Sequence, residues 1–404
     1  MNLTRRSLIS ASVLAGAAGT IEPSAHLPLK NEFPVVRAET CLNNARWHPL
    51  SIGAKQAILH YLEYKTAGGG NLPQYSSEQQ GRVKELFAKL IGASSAEISF
   101  VPSTMVGENL IVAGLGLPAA GGNIVTDALH FEGSLYLYGE LRRQGLDVRT
   151  VKPNDGRIDL NDLEKNIDKN TRLVAVSLVS MINGFQHDLP ALCERAHAHG
   201  AYVFADIVQA VGAVPVDVRR SGVDFCAAAS YKWLMGDMGL GFLYVREGVL
   251  PRLRRSQYGY RQLSEMEYHL FPYDAPGSAL FEWKQAGGAS GHFEVGTVSN
   301  TAVAALSYSL DLLQRIGVET IQSYRQPLLR RLQKEMPALG FEPLTPAEST
   351  SPIVAFAVAD TERFAKKLSR ANVDIAVYPH RVRISPSIYN DDGDVDRLLE
   401  CLGS

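Results

Sequence analysis

Between residues 172 and 229, three apolar runs rich in β-formers (172–180, 201–204 and 224–229) are interrupted by a helix-like stretch from Leu189 to Ala198. Continuous apolar runs of this kind are strands covered on both faces. Their succession with a helix is the right-handed crossover of a parallel sheet. Such a chain is committed to layered α/β architecture, where ligands sit beyond the carboxyl edge of the strands. Two residues able to do chemistry fall on that edge. Asp206 closes the run through Phe204, and Lys232 follows the run ending at Ala229, 26 positions after Asp206.

One cofactor chemistry uses such a pair. Pyridoxal 5'-phosphate (PLP) requires a lysine amine for its aldehyde and a carboxylate that keeps its pyridine nitrogen protonated, so that the ring can withdraw electrons. Gln209, three residues past Asp206, is placed to reach the ring's phenolic oxygen from the same loop.

The segment Asp206-x-x-Gln209, followed by Ser230-Tyr231-Lys232-Trp233-Leu234, resembles the class V aminotransferase family of fold type I PLP enzymes. That family includes cysteine desulfurases, kynureninases and isopenicillin N epimerase-like proteins. The resemblance runs from about Leu42 to Leu399. It implies an α/β PLP-dependent transferase fold of type I, with a mainly parallel seven-stranded sheet flanked by helices in a large domain over 76–298. A linking helix and a smaller α+β C-terminal domain are expected over 299–404. Residues 26–75 are expected to contribute to the small domain and the active site.

The same resemblance assigns roles along the chain. Cys41–Leu50 is similar to the family's opening segment, with Asn43 and Asn44 as substrate contacts. A strand over 97–101 leads through Pro102-Ser103-Thr104 into a helix. A helix N-terminus of this kind presents free N–H groups and the positive end of a dipole to a phosphate. Thr104 and Met105 align with the phosphate-contacting positions. After the strand 122–127, the family stacks a planar side chain on the pyridine ring. His130 is the choice and Phe131 the other residue the register allows; an imidazole there could also move protons. Met181 stands where cysteine desulfurases carry Asn, which leaves Asn183 as a donor from that turn. Ser230 and Tyr231 resemble the kynureninase arrangement, in which the residue before the lysine touches the phosphate. Residues 250–290, rich in Tyr, Arg and Gly, read as loops over the site mouth. Glu294-x-Gly296-Thr297 resembles the segment that lends a threonine to the phosphate of the neighbouring subunit, so Thr297 implies a homodimer with shared sites. Arg383-Ile384-Ser385-Pro386-Ser387-Ile388-Tyr389-Asn390 resembles the signature whose arginine binds the substrate α-carboxylate. That task favours a bidentate guanidinium, and register prefers Arg383 over Arg381.

The 404 residues carry a formal net charge of −2, which argues against nucleic acid or an anionic membrane as the main partner. The four cysteines (Cys41, Cys193, Cys226, Cys401) show no metal or disulfide spacing, and no metal is expected. A desulfurase needs a mobile cysteine ahead of the arginine strand. Residues 338–380 contain none, so that activity is not expected; Cys41 is the remote alternative nucleophile. The first residues, Thr4-Arg5-Arg6-Ser7-Leu8-Ile9 and an apolar run to Ala18, resemble a bacterial twin-arginine (Tat) export signal over 1–25. The chain is therefore expected to meet the Tat machinery and to reside in the periplasm. Past residue 25 no stretch of 18 apolar residues remains to span a membrane.

The expected function is a periplasmic PLP enzyme acting on the amino group or α-carbon of an amino acid or a peptide-linked amino acid. Transamination or deamination ranks first, epimerisation of the isopenicillin N epimerase type second, and lyase activity third. A catalytically silent PLP-fold binding protein is the alternative from another class.

Overall fold

Seven strands organise the large domain: β1 (Ile98–Val101), β2 (Asn123–Asp127), β3 (Asp147–Val151), β4 (Thr171–Ser177), β5 (Tyr202–Asp206), β6 (Phe225–Ala229) and β7 (Gly241–Val245). They lie in the order β3-β2-β4-β5-β6-β7-β1. Only β7 runs antiparallel to its neighbours; every other pairing is parallel. These strands belong to a computed structural model that describes residues 26–68 and 70–403. The expected export signal lies outside the described residues.

The sheet is buried on both faces because its strands carry apolar side chains at consecutive positions. Along β4, Val174 and Val176 enter one apolar layer while Leu173 and Ala175 enter the other, as a two-residue period requires. Val203 and Ala205 of β5 join the first layer and Phe204 the second. Full burial of one such side chain contributes roughly 1.5–3 kcal/mol. Only β3, at the sheet edge, alternates exposed and buried residues. This architecture agrees with the expected α/β fold of a large, mostly parallel domain and a smaller C-terminal one.

The helix Asn300–Ile316, N-capped by Ser299, leads into the small domain. There an antiparallel sheet runs in the order Glu342–Pro343, Val354–Ala357, Arg381–Ile384, Ala376–Tyr378. Leu328, Leu332, Phe356, Phe364, Val382 and Leu398 form its core. The N-terminal segment docks on this domain. Thr40–Cys41 pairs with Val373–Asp374, and Asn43 bridges to Ser385.

Residues 250–290 differ from the loops expected of them. Leu263–Tyr268 and Phe281–Gln285 form an antiparallel hairpin, with Met266 opposite Trp283. Most of its residues face solvent, so the two-residue alternation that marks a half-buried strand was missing from the sequence. Among the described residues no helix is long and apolar enough to cross a membrane.

Candidate active site

Asp206 ends β5 and lies between Ser177 of β4 and Ala227 of β6 in register. The chain reverses there, and Oδ1 accepts the N–H of Val208 at 2.9 Å. The carboxylate is 2% exposed. Burial pushes its pKa up to about 6, against the opposing pull of His130, the Val208 N–H and Lys232.

Lys232 leaves the end of the neighbouring strand β6. Its turn is closed by backbone bonds from Ser230 to Leu240, from Met235 to Lys232 and from Gly236 to Ser230. Met235 holds a left-handed φ of 54°, a conformation unusual for a residue with a side chain. Lys232 is 8% exposed. Burial lowers its amine to about 8, with Asp206 pulling upward and Arg383 pushing downward. Among the described residues the two groups form no ion pair, although each feels the other's charge.

The helix Thr104–Gly114 begins beside this turn. Ser103 caps it, accepting from Val106 N–H at 3.3 Å, and Thr104 Oγ1 accepts the Ala229 N–H at 2.9 Å. The hydroxyl of Thr104 thus ties the helix start to the strand that Lys232 leaves. The first-turn N–H groups of Thr104 and Met105 have no preceding helical carbonyl to meet. Gly107 permits the close approach, since a Cβ there would lie 3.0 Å from the Ala227 Cβ.

Several expected contacts turn out to be committed elsewhere. His130 is 0% exposed, with Nδ1 2.8 Å from Ser177 Oγ and Nε2 3.2 Å from Glu108 Oε1. Its imidazole is locked within the protein, which corrects the ring-stacking role. Phe131, the other residue in register, is half-buried. It packs where a Gly133 Cβ would fall, 2.7 Å from its ring and 3.1 Å from Met105 Sδ.

Gln209 uses both ends of its amide as a strut. Nε2 donates to the Ala45 carbonyl and Oε1 accepts from the Trp233 indole, each at 2.9 Å. The Ser230 hydroxyl donates to the Asp237 carbonyl at 2.5 Å, closing the lysine turn instead of facing an anion. Asn44 donates to the Ser385 carbonyl and accepts from Tyr389 OH. Asn183 is likewise occupied, by Gly156, Leu344 and Phe185 backbone.

Other expected residues keep free atoms or open faces. Asn43 Nδ2 donates to Asp374 at 3.2 Å while its buried Oδ1 has no partner among the described residues. Arg383 is 2% exposed, donates from Nη1 to the Met181 carbonyl at 3.1 Å, and leaves Nε without a partner among the described residues. Tyr231 lines a cavity of about 420 Å³ with Trp47, His48 and Met238. Thr297 is exposed and lines another, of about 330 Å³, with Pro102 and Val106 behind the phosphate-loop candidate. The fold also gathers Glu39, Cys41 and Asp374, whose candidate ligand atoms lie within 4.8 Å of one another; no spacing in the sequence announced that cluster.

Sequence reasoning missed Glu108. The available signal was a lone acid in the otherwise uncharged helix Thr104–Gly114, which begins at the phosphate candidates.

The site fits PLP on its own donor set. A buried amine and a buried carboxylate leave adjacent strands without pairing, and a capped helix start stands beside them. An unpaired arginine nitrogen lies within electrostatic reach of the amine.

Comparison with known proteins adds independent findings. The family model described as aminotransferase class V matches residues 55–398. A probable cysteine desulfurase of Methanothermobacter thermautotrophicus is 28% identical over 312 residues, covering 75% of this chain and 74% of the relative. An uncharacterized aminotransferase of Bacillus subtilis is 26% identical over 385 residues, covering 93% and 97%. The apo structure of a cysteine desulfurase from Thermococcus onnurineus NA1 has the same fold, with a TM-score of 0.83 at 23% identity over 94% of this chain and 98% of that one.

Proposed function

The chain belongs to the aminotransferase class V family of PLP-dependent enzymes, and from that premise we propose that it acts on the amino group or α-carbon of an amino acid or peptide-linked amino acid, with transamination or deamination first in rank. The observation that carries this reading is Lys232: a buried amine held at about 8, off the strand next to that of Asp206 and without an ion pair to it among the described residues. When bound, the cofactor supplies an electron sink for charge developing at the substrate α-carbon. Lys232, near neutrality, is poised to take and return the α-proton. Asp206 would hold the ring nitrogen, the N–H groups of Thr104 and Met105 would hold the phosphate, and Phe131 would cover the ring. Arg383 would take the α-carboxylate, with Nε as the donor that has no partner among the described residues.

The cysteines bear on the reaction ranking, and the exposed hairpin and Thr297 on assembly. Cys41, Cys193 and Cys226 are buried, and Cys401 lies on the last helix beyond the arginine strand, which supports placing a desulfurase behind the other readings. The exposed hairpin carries Phe271, Leu280 and Trp283 outward, and Thr297 faces out of the same chain. Both suit a second copy of this chain, as a homodimer with shared sites requires. The twin-arginine-like start supports periplasmic residence.

The test is a substrate panel scored separately for keto-acid release and for change of chirality. Keto acid formed stoichiometrically supports the first rank. Solvent deuterium entering Cα without keto acid overturns it in favour of epimerisation. Fractionation that finds the unprocessed chain in the cytoplasm removes the export reading.

A further inference from the structure

Glu108 has no solvent contact, and three side chains from two other elements converge on it. Ser134 and Tyr138, from the helix Glu132–Arg143, donate their hydroxyls to Oε2 and Oε1, each at 2.5 Å. His130 Nε2, from the loop after β2, lies 3.2 Å from Oε1. The second ring nitrogen of His130 lies 2.8 Å from Ser177 Oγ, and Ser177 is the register partner of Asp206. The network therefore runs from the helix that starts at Thr104 to the strand pair that carries Asp206.

Burying a carboxylate this deep is costly unless donors and a cation compensate for lost water. Two hydroxyls and one imidazole surround Glu108. The imidazole in turn faces acids on three elements: Glu108 on its helix, Asp206 at the end of β5 and Asp127 at the end of β2. Asp127 is itself held by His187 Nε2 at 3.1 Å. Burial alone would drive the His130 pKa down; the adjacent Glu108 carboxylate, helped by Asp206 and Asp127, turns the net shift upward. Conversely, His130 is the strongest charge opposing protonation of Asp206, ahead of Lys232.

Resting on the reading of Asp206 as the ring-nitrogen partner, we propose that Glu108 holds His130 as an imidazolium and that this buried cation keeps Asp206 ionised. Glu108 and His130 are then positioning residues: they set the charge behind the cofactor without touching it. The hydroxyls of Ser134 and Tyr138 fix the carboxylate, and Ser177 fixes the far side of the imidazole. No atom of this device needs to enter the site.

The test uses the full-length holoenzyme with ¹⁵N-labelled histidine. His130 is expected to appear doubly protonated at neutral pH in the wild type and neutral in Glu108→Gln, which keeps the side-chain shape and removes the charge. In the same variant the PLP dissociation constant is expected to rise roughly tenfold. The acid limit of PLP retention is expected to move to higher pH, with Glu108→Asp restoring part of both. A neutral His130 in the wild type overturns the proposal, and that measurement decides even if Glu108→Gln does not fold. A folded Glu108→Gln with wild-type PLP affinity and acid limit overturns it as well. A wild-type protein that binds no PLP overturns the cofactor premise and the proposal together, and is recognised before any variant is made.

Discussion

Asp206 and Lys232 leave neighbouring strands of the sheet, each shifting the other's protonation, yet no ion pair joins them among the described residues. Two buried opposite charges that could collapse together ordinarily would, since an unpaired buried ion is costly. Their separation is imposed by the sheet: Asp206 ends one strand while Lys232 lies in the turn beyond the next. A pyridine ring that offered a protonated nitrogen to Asp206 and an aldehyde carbon to the Lys232 amine would satisfy both.

Replacing Lys232 with Ala is expected to abolish turnover and the visible absorbance of protein-bound PLP. The protein should remain folded, because the amine makes no hydrogen bond that the turn depends on. Absorbance of the purified variant beside the wild type, with circular dichroism as the control, checks this.

The amine at about 8 sets a pH dependence for cofactor capture. Only the neutral amine attacks an aldehyde, so the rate of PLP uptake by cofactor-free enzyme is expected to rise with pH through about 8 and then level off. A rise that continues toward the ordinary lysine range would contradict it. Stopped-flow absorbance across pH is the measurement.

Asp206 is held at about 6, above its ordinary value, so ionising it opposes folding of the cofactor-free protein. The sign follows from linkage: the unfolded chain loses this proton first, and stability falls as pH rises from about 4 to about 6. Asp206→Asn is therefore expected to stabilise the cofactor-free protein by about 1–3 kcal/mol at neutral pH. That gain should vanish below about pH 4, where the wild-type side chain is protonated in both states. PLP function should be lost at every pH. Denaturant unfolding at two pH values checks the pair of outcomes.

Arg383→Lys is expected to lower kcat/KM by roughly 10- to 100-fold for amino acids. It should have little effect on the corresponding amines that lack the α-carboxylate. Kinetics on matched substrate pairs distinguish lost anion binding from a general defect.

Gly107→Ala places a Cβ 3.0 Å from that of Ala227, on the face where the helix meets β6. Overpacking there is expected to cost about 1–3 kcal/mol. It should also weaken PLP binding, because the Thr104–Ala229 tie shifts with the helix. Thermal melts of cofactor-free protein and PLP titrations separate the two effects.

The succession of apolar runs at 172–180, 201–204 and 224–229, with an acid and a lysine at their ends, determined the α/β class and the edge where chemistry gathers. Those features follow from local rules: a two-residue period assigns faces, and strand direction assigns edges. Tertiary structure alone decided which neighbours serve the site. Gln209 meets Ala45, 164 positions away, and Asn44 meets Ser385, 341 positions away, so both became struts. His130 and Phe131 are adjacent in sequence, yet one is sealed against Glu108 and the other lies beside Met105. Backbone geometry tells a side chain which way to point, but the donor or acceptor waiting there belongs to whatever distant element packs against it, and that is fixed only when the layers close.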